Sequence, residues 1–271
     1  MKSLIAIDTE FNKDKKILSL GVYSEKIKGE YYFKNKVDKY TYQVHCLKND
    51  FLKEYGKVYN KEDFNFIFEH DYIIGFDIYQ DLHVLDYRKK DTLYTKNKII
   101  DLKILINAFN LNCSLNDLIC VFDIKVESAL LHSAYFDAKL SYEVLFKIYE
   151  TFKSSFKDFE SFLHISSKLT FSHKFGYSWE YDDISYNYFL KNNKSVENLK
   201  EKFQKYKDNN NKSFEQKIFT DNEFIYVFKN DMCEFKFPKK FLNKDIDIEY
   251  NKDIDYPKIG IKFKYEITGG I

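Results

Sequence analysis

Arginine is almost missing from this chain: Arg88 stands alone among 43 lysines and arginines, while Lys, Asn, Ile, Phe and Tyr dominate. That bias reads as the imprint of an A/T-rich coding sequence before it reads as physics. An excess of either charge is missing too. Against the 43 basic residues stand 42 acidic ones, a net charge of +1, which excludes the overall basicity of a protein that coats nucleic acid and leaves room only for a local basic groove. Cysteine is scarce: Cys46, Cys113, Cys120 and Cys233 form no CxxC pair, so reduced thiols in a cytoplasmic compartment are expected. Long apolar runs are absent as well. The opening MKSLIAIDTEF lacks the apolar core of a signal peptide, and no stretch approaches the ~18 apolar residues of a membrane span.

What is present is core-forming material. Hydrophobic residues make up 44% and aromatics 19% of 271 residues, enough for a well-buried globular protein of one large domain or of two units. The first half alternates strand and helix signals. LIAID, ILSLGVY and YIIGF read as strands, EDFNFIFEH as a short helix, then a helix through DLHVLDY, a strand KIID and a helix LKILINAF. Ser114 and Asp117 have the spacing of a capping box, and a long helix is expected from about Ala134 to Phe152 with Leu140, Val144 and Ile148 on one stripe. Residues 153–165 read as a junction and residues 205–214, KYKDNNNKSF, as the clearest loop. Beyond it EFIYVFKND, CEFKFP and KIGIKFKYEI alternate at period two, as strands do.

The chemistry is carried by acids. Asp8 and Glu10, two apart at the end of an apolar strand, project from one face of a sheet. Either they are two solvated strand-end residues, or their repulsion is relieved by a divalent cation such as Mg²⁺ or Mn²⁺. A second strand, YIIGF, runs into Asp77, which suits a helix N-cap, and Asp81, which falls on the inward stripe of Ile78, Leu82 and Leu85. In LHSAYFDAKLSYEVL, Asp137 shares the inward stripe of Leu140 and Val144. His132 lies five residues earlier, about 500° of helical turn away; a position on the preceding loop would let its near-neutral pKa serve to deprotonate a water.

The order DxE, GFxxxxD, HxxxxD over about 130 residues of alternating strand and helix resembles the DEDDh branch of the proofreading-exonuclease superfamily. VHCLKNDFL, the strand-end Asp101 and SLNDLICVFDI are further points of resemblance, whereas Asp77 stands where that family often has Asn and Cys46 where it often has Gly. The resemblance implies an α/β, RNase H-like mixed sheet flanked by helices, with a smaller C-terminal α+β extension. It implies Asp8, Glu10, Asp81 and Asp137 as ligands of two Mg²⁺ (or Mn²⁺) ions, Asp8 bridging, and His132 as general base. It further implies 3'-to-5' hydrolysis of single-stranded or duplex 3' ends of DNA, with RNA as the alternative on the model of RNase T or oligoribonuclease. Thr9 and Phe11 would position the terminal nucleotide. A homodimer or a subunit of a complex, catalytic or not, is compatible with such a fold.

KLTFSHKFGYSWEYDDISYNYFLKNN is similar to the small domain that follows the catalytic domain in exonuclease X-like proteins, through Phe171, Lys174, Gly176, Trp179, Ile184, Tyr188 and Phe189, with Ser172 where Gly is expected. These aromatics form either a small core or a stacking surface for single strands. The organisation expected is therefore an exonuclease domain at 1–155, a small exonuclease X-like domain at 156–204 and a β-rich region at 205–271.

Overall fold

A computed structural model of the chain describes residues 2–38, 41, 45, 47–86, 98–124, 133–212, 216–220, 224–229 and 232–238. It divides into two compact units, Met1–Asp208 and Asn209–Ile271. The first is built on a five-stranded mixed sheet of order β3-β2-β1-β4-β5. Its strands are β1 (Leu4–Phe11), β2 (Ile17–Tyr23), β3 (Lys28–Tyr32), β4 (Tyr72–Gly75) and β5 (Ile99–Asp101). β1, β2 and β3 pair antiparallel, while β4 lies parallel to β1 and β5 parallel to β4. This is the mixed, helix-flanked α/β sheet expected from the sequence.

The two faces differ in composition, and the difference decides what covers them. On one face Ile5, Ile7, Leu20, Val22 and Ile73 form a buried cluster with Phe64 and Ile67 and with Ile78, Leu82 and Leu85. Phe64 and Ile67 come from 3-10 turns over Lys61–Glu69, and Leu82 from helix α2 (Tyr79–Val84), which follows α1 (Asn49–Tyr55). Each fully buried isoleucine or leucine there contributes roughly 1.5–3 kcal/mol. The other face carries mostly small or acidic residues around the site, Ala6, Asp8 and Glu10 of β1 opposite Tyr23, Gly21 and Ser19 of β2. A helix can approach such a face closely.

Two short helices, α3 (Leu102–Ala108) and α4 (Leu115–Val121), intervene before that helix. Asp101 caps α3, and Ser114 with Asp117 closes a capping box on α4, which satisfies backbone donors that a helix start leaves free. Helix α5 (Ala134–Phe152) is capped by Ser133 and buries Ala134, Ala138, Leu140, Val144 and Ile148. Gly21 is what lets it land: a Cβ there would lie 2.0 Å from the backbone carbon and oxygen of Ala134.

After 3-10 turns at Lys153–Ser155 come α6 (Phe159–Phe175), α7 (Ser178–Ser185), a π-helical turn Tyr186–Leu190 and α8 (Asn193–Lys212). Gly176 ends α6 in the left-handed conformation, φ 82°, which glycine adopts without penalty. Phe189 is fully buried among Phe109, Phe152 and Phe156, and Ile184 is buried, whereas Trp179 is 72% exposed. Of these aromatics Phe189 serves as core, while Tyr177, Trp179 and Tyr186 stay exposed. Where a loop was expected over residues 205–214, α8 continues to Lys212. Its buried stripe of Val196, Leu199 and Phe203 anchors the helix upstream, and once nucleated a helix propagates through polar residues at little cost.

The second unit contains β6 (Gln216–Thr220), β7 (Phe224–Lys229) and β8 (Met232–Pro238), an antiparallel sheet in sequence order. The last expected strand, KIGIKFKYEI, falls outside the described residues. Among the described residues no helix is long and apolar enough to cross a membrane.

Candidate metal centre

Asp8 and Glu10 lie on the α5 side of β1, as their spacing of two dictates. The first turn of α5 carries Asp137 above them. Carboxylate oxygens of Asp8, Glu10 and Asp137 lie within 4.8 Å of one another, and all three side chains keep part of their surface open to solvent. Asp137 Oδ1 is buried with no hydrogen-bond partner among the described residues, an orphaned acceptor of the kind that a ligand, ion or water ordinarily satisfies.

Asp81 arrives from the opposite side of the strand. It is buried on the apolar stripe of α2, and Thr9, between the two strand acids, holds it in place. The Thr9 backbone N–H and its hydroxyl both donate to Asp81 Oδ1, at 2.9 and 2.7 Å. Gly75 permits the tight β4–α2 turn, since a Cβ there would meet the Ile78 side chain at 2.9 Å and the Ile7 carbonyl at 3.1 Å.

Asp77 is not the N-cap of α2. Its φ is 60°, outside the extended conformation typical of a cap; instead its N–H donates to Asp101 Oδ1 at 3.0 Å and its carboxylate accepts from Lys103 Nζ at 2.8 Å. The turn thus draws Asp77 toward α3 rather than back over its own helix. The Asp101 N–H in turn donates to Thr170 Oγ1 of α6 at 3.0 Å. The segment after residue 155 therefore buttresses the turn from which Asp81 projects.

The electrostatics of the four acids are those of a site short of positive charge. Burial, then the charges of Asp81, Asp137, Glu10 and Glu30, push the Asp8 carboxyl well above the usual range. Glu10 is raised likewise, by burial and then by Asp137, Asp81 and Glu30. Asp81 is pushed up to about 8 by burial, against the opposing hydrogen bonds from Thr9, with Asp101 and Asp77 adding to the rise. Burial and Glu30 push Asp137 up to about 7. Four acids that resist ionising together fit a divalent cation, whose charge reverses that resistance.

Phe11 packs against the core cluster, and the Lys15 ammonium lies over its ring at 4.0 Å. His132 lies outside the described residues, which resume at Ser133. Glu30 and Gly21 escaped sequence reasoning. Neither belongs to a local motif, and each acquires its place through strand register. β3 itself, KGEYY, carries no alternation of buried and exposed residues.

No protein-family model matches the sequence, and no curated protein matches it. Among solved structures the chain is similar to the Neurospora crassa Pan2 catalytic unit (protease and nuclease domain), with 19% identity and a TM-score of 0.44 over 62% of this chain. The chain spans 29% of the length of that protein chain.

Proposed function

We propose that this chain is a metal-dependent 3'-to-5' exonuclease that releases nucleoside 5'-monophosphates from DNA 3' ends. The observation that carries the reading is the meeting of Asp8, Glu10 and Asp137 within 4.8 Å, with Asp81 pinned beside them by Thr9. Two of the motifs, DxE and HxxxxD, thus supply the cluster itself, and the third, GFxxxxD, supplies Asp81, whose charge bears on Asp8. A solvated strand-end pair would need neither the helix acid nor the buried one.

Asp8, Glu10, Asp81 and Asp137 would hold two Mg²⁺ or Mn²⁺ ions, which when bound lower the pKa of a coordinated water and stabilise charge on the departing 3'-oxygen. Asp8, on which the charges of Asp81, Asp137 and Glu10 all bear, would be a ligand common to the set. Asp137 offers an oxygen with no competing donor among the described residues. Thr9 occupies one oxygen of Asp81 and holds its orientation. His132, whose unperturbed pKa lies near neutrality, takes the proton from the attacking water as general base. Thr9 and Phe11, flanking the acids, position the terminal nucleotide.

The test is incubation of the full chain with 5'-labelled single-stranded DNA and RNA of identical sequence in Mg²⁺, Mn²⁺ or EDTA, beside Asp8→Ala and His132→Ala. A metal-dependent ladder shortening from the 3' end, lost in Asp8→Ala and strongly slowed in His132→Ala, is expected. A strong preference for RNA would move the substrate assignment to RNA. No shortening with either metal would overturn the exonuclease reading.

A further inference from the structure

A fifth carboxylate bears on the cluster from a strand that no motif touches. Glu30 of β3 pairs with Gly21 of β2, and Gly21 pairs with Asp8 of β1. Residues directly opposite one another across strands project from the same face. Asp8, Gly21 and Glu30 therefore form one row, and its middle member has no side chain. Into the space above Gly21 comes the backbone of Ala134, the first residue of α5.

Glu30 reaches across that gap. Its Oε2 accepts a hydrogen bond from the Ser133 hydroxyl at 2.9 Å, and the same hydroxyl caps α5 by accepting from the Phe136 N–H at 3.5 Å. Burial, and then the charge of neighbouring Glu30, push the Tyr32 hydroxyl up to about 12. Among the described residues no lysine or arginine ion-pairs with Glu30.

We infer that Glu30 is a positioning residue of the metal centre: through Ser133 it fixes the start of α5, and so the height of Asp137 over Asp8 and Glu10, while its charge strengthens divalent-cation binding. This rests on the reading of the four acids as metal ligands. The two contributions separate by substitution. Glu30→Gln keeps an oxygen that can accept from Ser133 and removes only the charge. Glu30→Ala removes both, and Ser133→Ala removes the link while sparing the charge.

The experiment measures Mn²⁺ binding by titration calorimetry and the Mn²⁺ dependence of exonuclease rate for the full chain, these three variants and Asp8→Ala, with thermal melts to check folding. Loss of one negative charge beside the site is expected to weaken Mn²⁺ binding in Glu30→Gln on the order of tenfold, with the rate at saturating Mn²⁺ near that of the parent. Glu30→Ala is expected to show the same weakening and, in addition, a saturating rate lowered at least tenfold by misplaced ligands. Ser133→Ala is expected to lose saturating rate with the smaller change in Mn²⁺ affinity. Parent-like affinity and rate in Glu30→Gln and Glu30→Ala, alongside loss of binding in Asp8→Ala, would overturn the role of Glu30 and leave the metal centre standing. Binding unchanged in Asp8→Ala would overturn both.

Discussion

Gly21→Ala is the sharpest perturbation of the centre that touches none of its acids. The added methyl would lie 2.0 Å from the Ala134 backbone carbon and oxygen and 2.2 Å from the Tyr135 nitrogen. All three are backbone atoms in the first turn of α5, so no side-chain rotation relieves the clash. The helix start has to retreat by about 1 Å merely to reach the closest approach that packed atoms tolerate, and overpacking of that order costs roughly 1–3 kcal/mol. Asp137 lies in the same turn and retreats with it. A ligand or catalytic group misplaced by about 1 Å typically costs on the order of 10²-fold in rate. The control is Gly29→Ala on the neighbouring strand, where a Cβ meets nothing within 4 Å; its effect on stability is expected to stay within about 1 kcal/mol, and activity to stay at the parent level. Urea denaturation in EDTA gives the stability difference, and Mn²⁺ titration with the exonuclease assay gives the functional one. Gly21→Ala with parent-like Mn²⁺ affinity and rate would refute the claim that close approach at this glycine sets the position of Asp137.

Two further outcomes follow from the site. Thr9→Val keeps the shape of the strand and the backbone donor to Asp81 but deletes the hydroxyl; it is expected to cost about 1–3 kcal/mol, because a buried acid loses one of the two Thr9 donors that hold it, and to weaken Mn²⁺ binding. Unchanged urea stability and Mn²⁺ affinity would show that Thr9 does not hold Asp81. The pH dependence of stability tests the electrostatics: Asp81 at about 8 and Asp137 at about 7, with Asp8 and Glu10 also raised, contrast with unfolded acids near ~4. Between those limits the unfolded chain releases protons that the folded chain retains, so the melting temperature of the metal-free protein is expected to fall as pH rises from about 4 to about 8. The gain in melting temperature on adding Mn²⁺ is expected to grow over the same window, and a metal-free melting temperature that rises steadily to pH 8 would contradict the cluster.

Local periodicity made much of the frame legible. The apolar alternation of LIAID and ILSLGVY, the Ser114–Asp117 spacing and the stripe through Leu140, Val144 and Ile148 each encode an element within a few residues, and the structure contains each of them. So does the shared face of Asp8 and Glu10, because a period of two leaves no choice. The inward aspect of Asp81 followed from its stripe, since Ile78, Leu82 and Leu85 on the same side are fully buried. Helix α8 over residues 205–212 was illegible because its local text has loop composition, and its helical state derives from Val196, Leu199 and Phe203 docking upstream. The Lys202 ion pair with Asp123 at 2.7 Å is another long-range contact on that helix. Asp77 misled for a related reason. Its type suits a cap, but Asp101 and Lys103, more than twenty residues away, draw it into a left-handed turn.

By itself, then, the sequence determined how Asp8, Glu10 and Asp81 face and on what kind of element each stands, because strand and helix periods are properties of neighbouring residues. Only the tertiary structure decided which of them meet. The register of β1 on β2 and of β2 on β3 sets Asp8, Gly21 and Glu30 in a row, the absence of a side chain at Gly21 admits α5, and that approach brings Asp137 to Asp8 and Glu10. None of these distances is written in any one segment, since each depends on how separate strands and a helix share a common face.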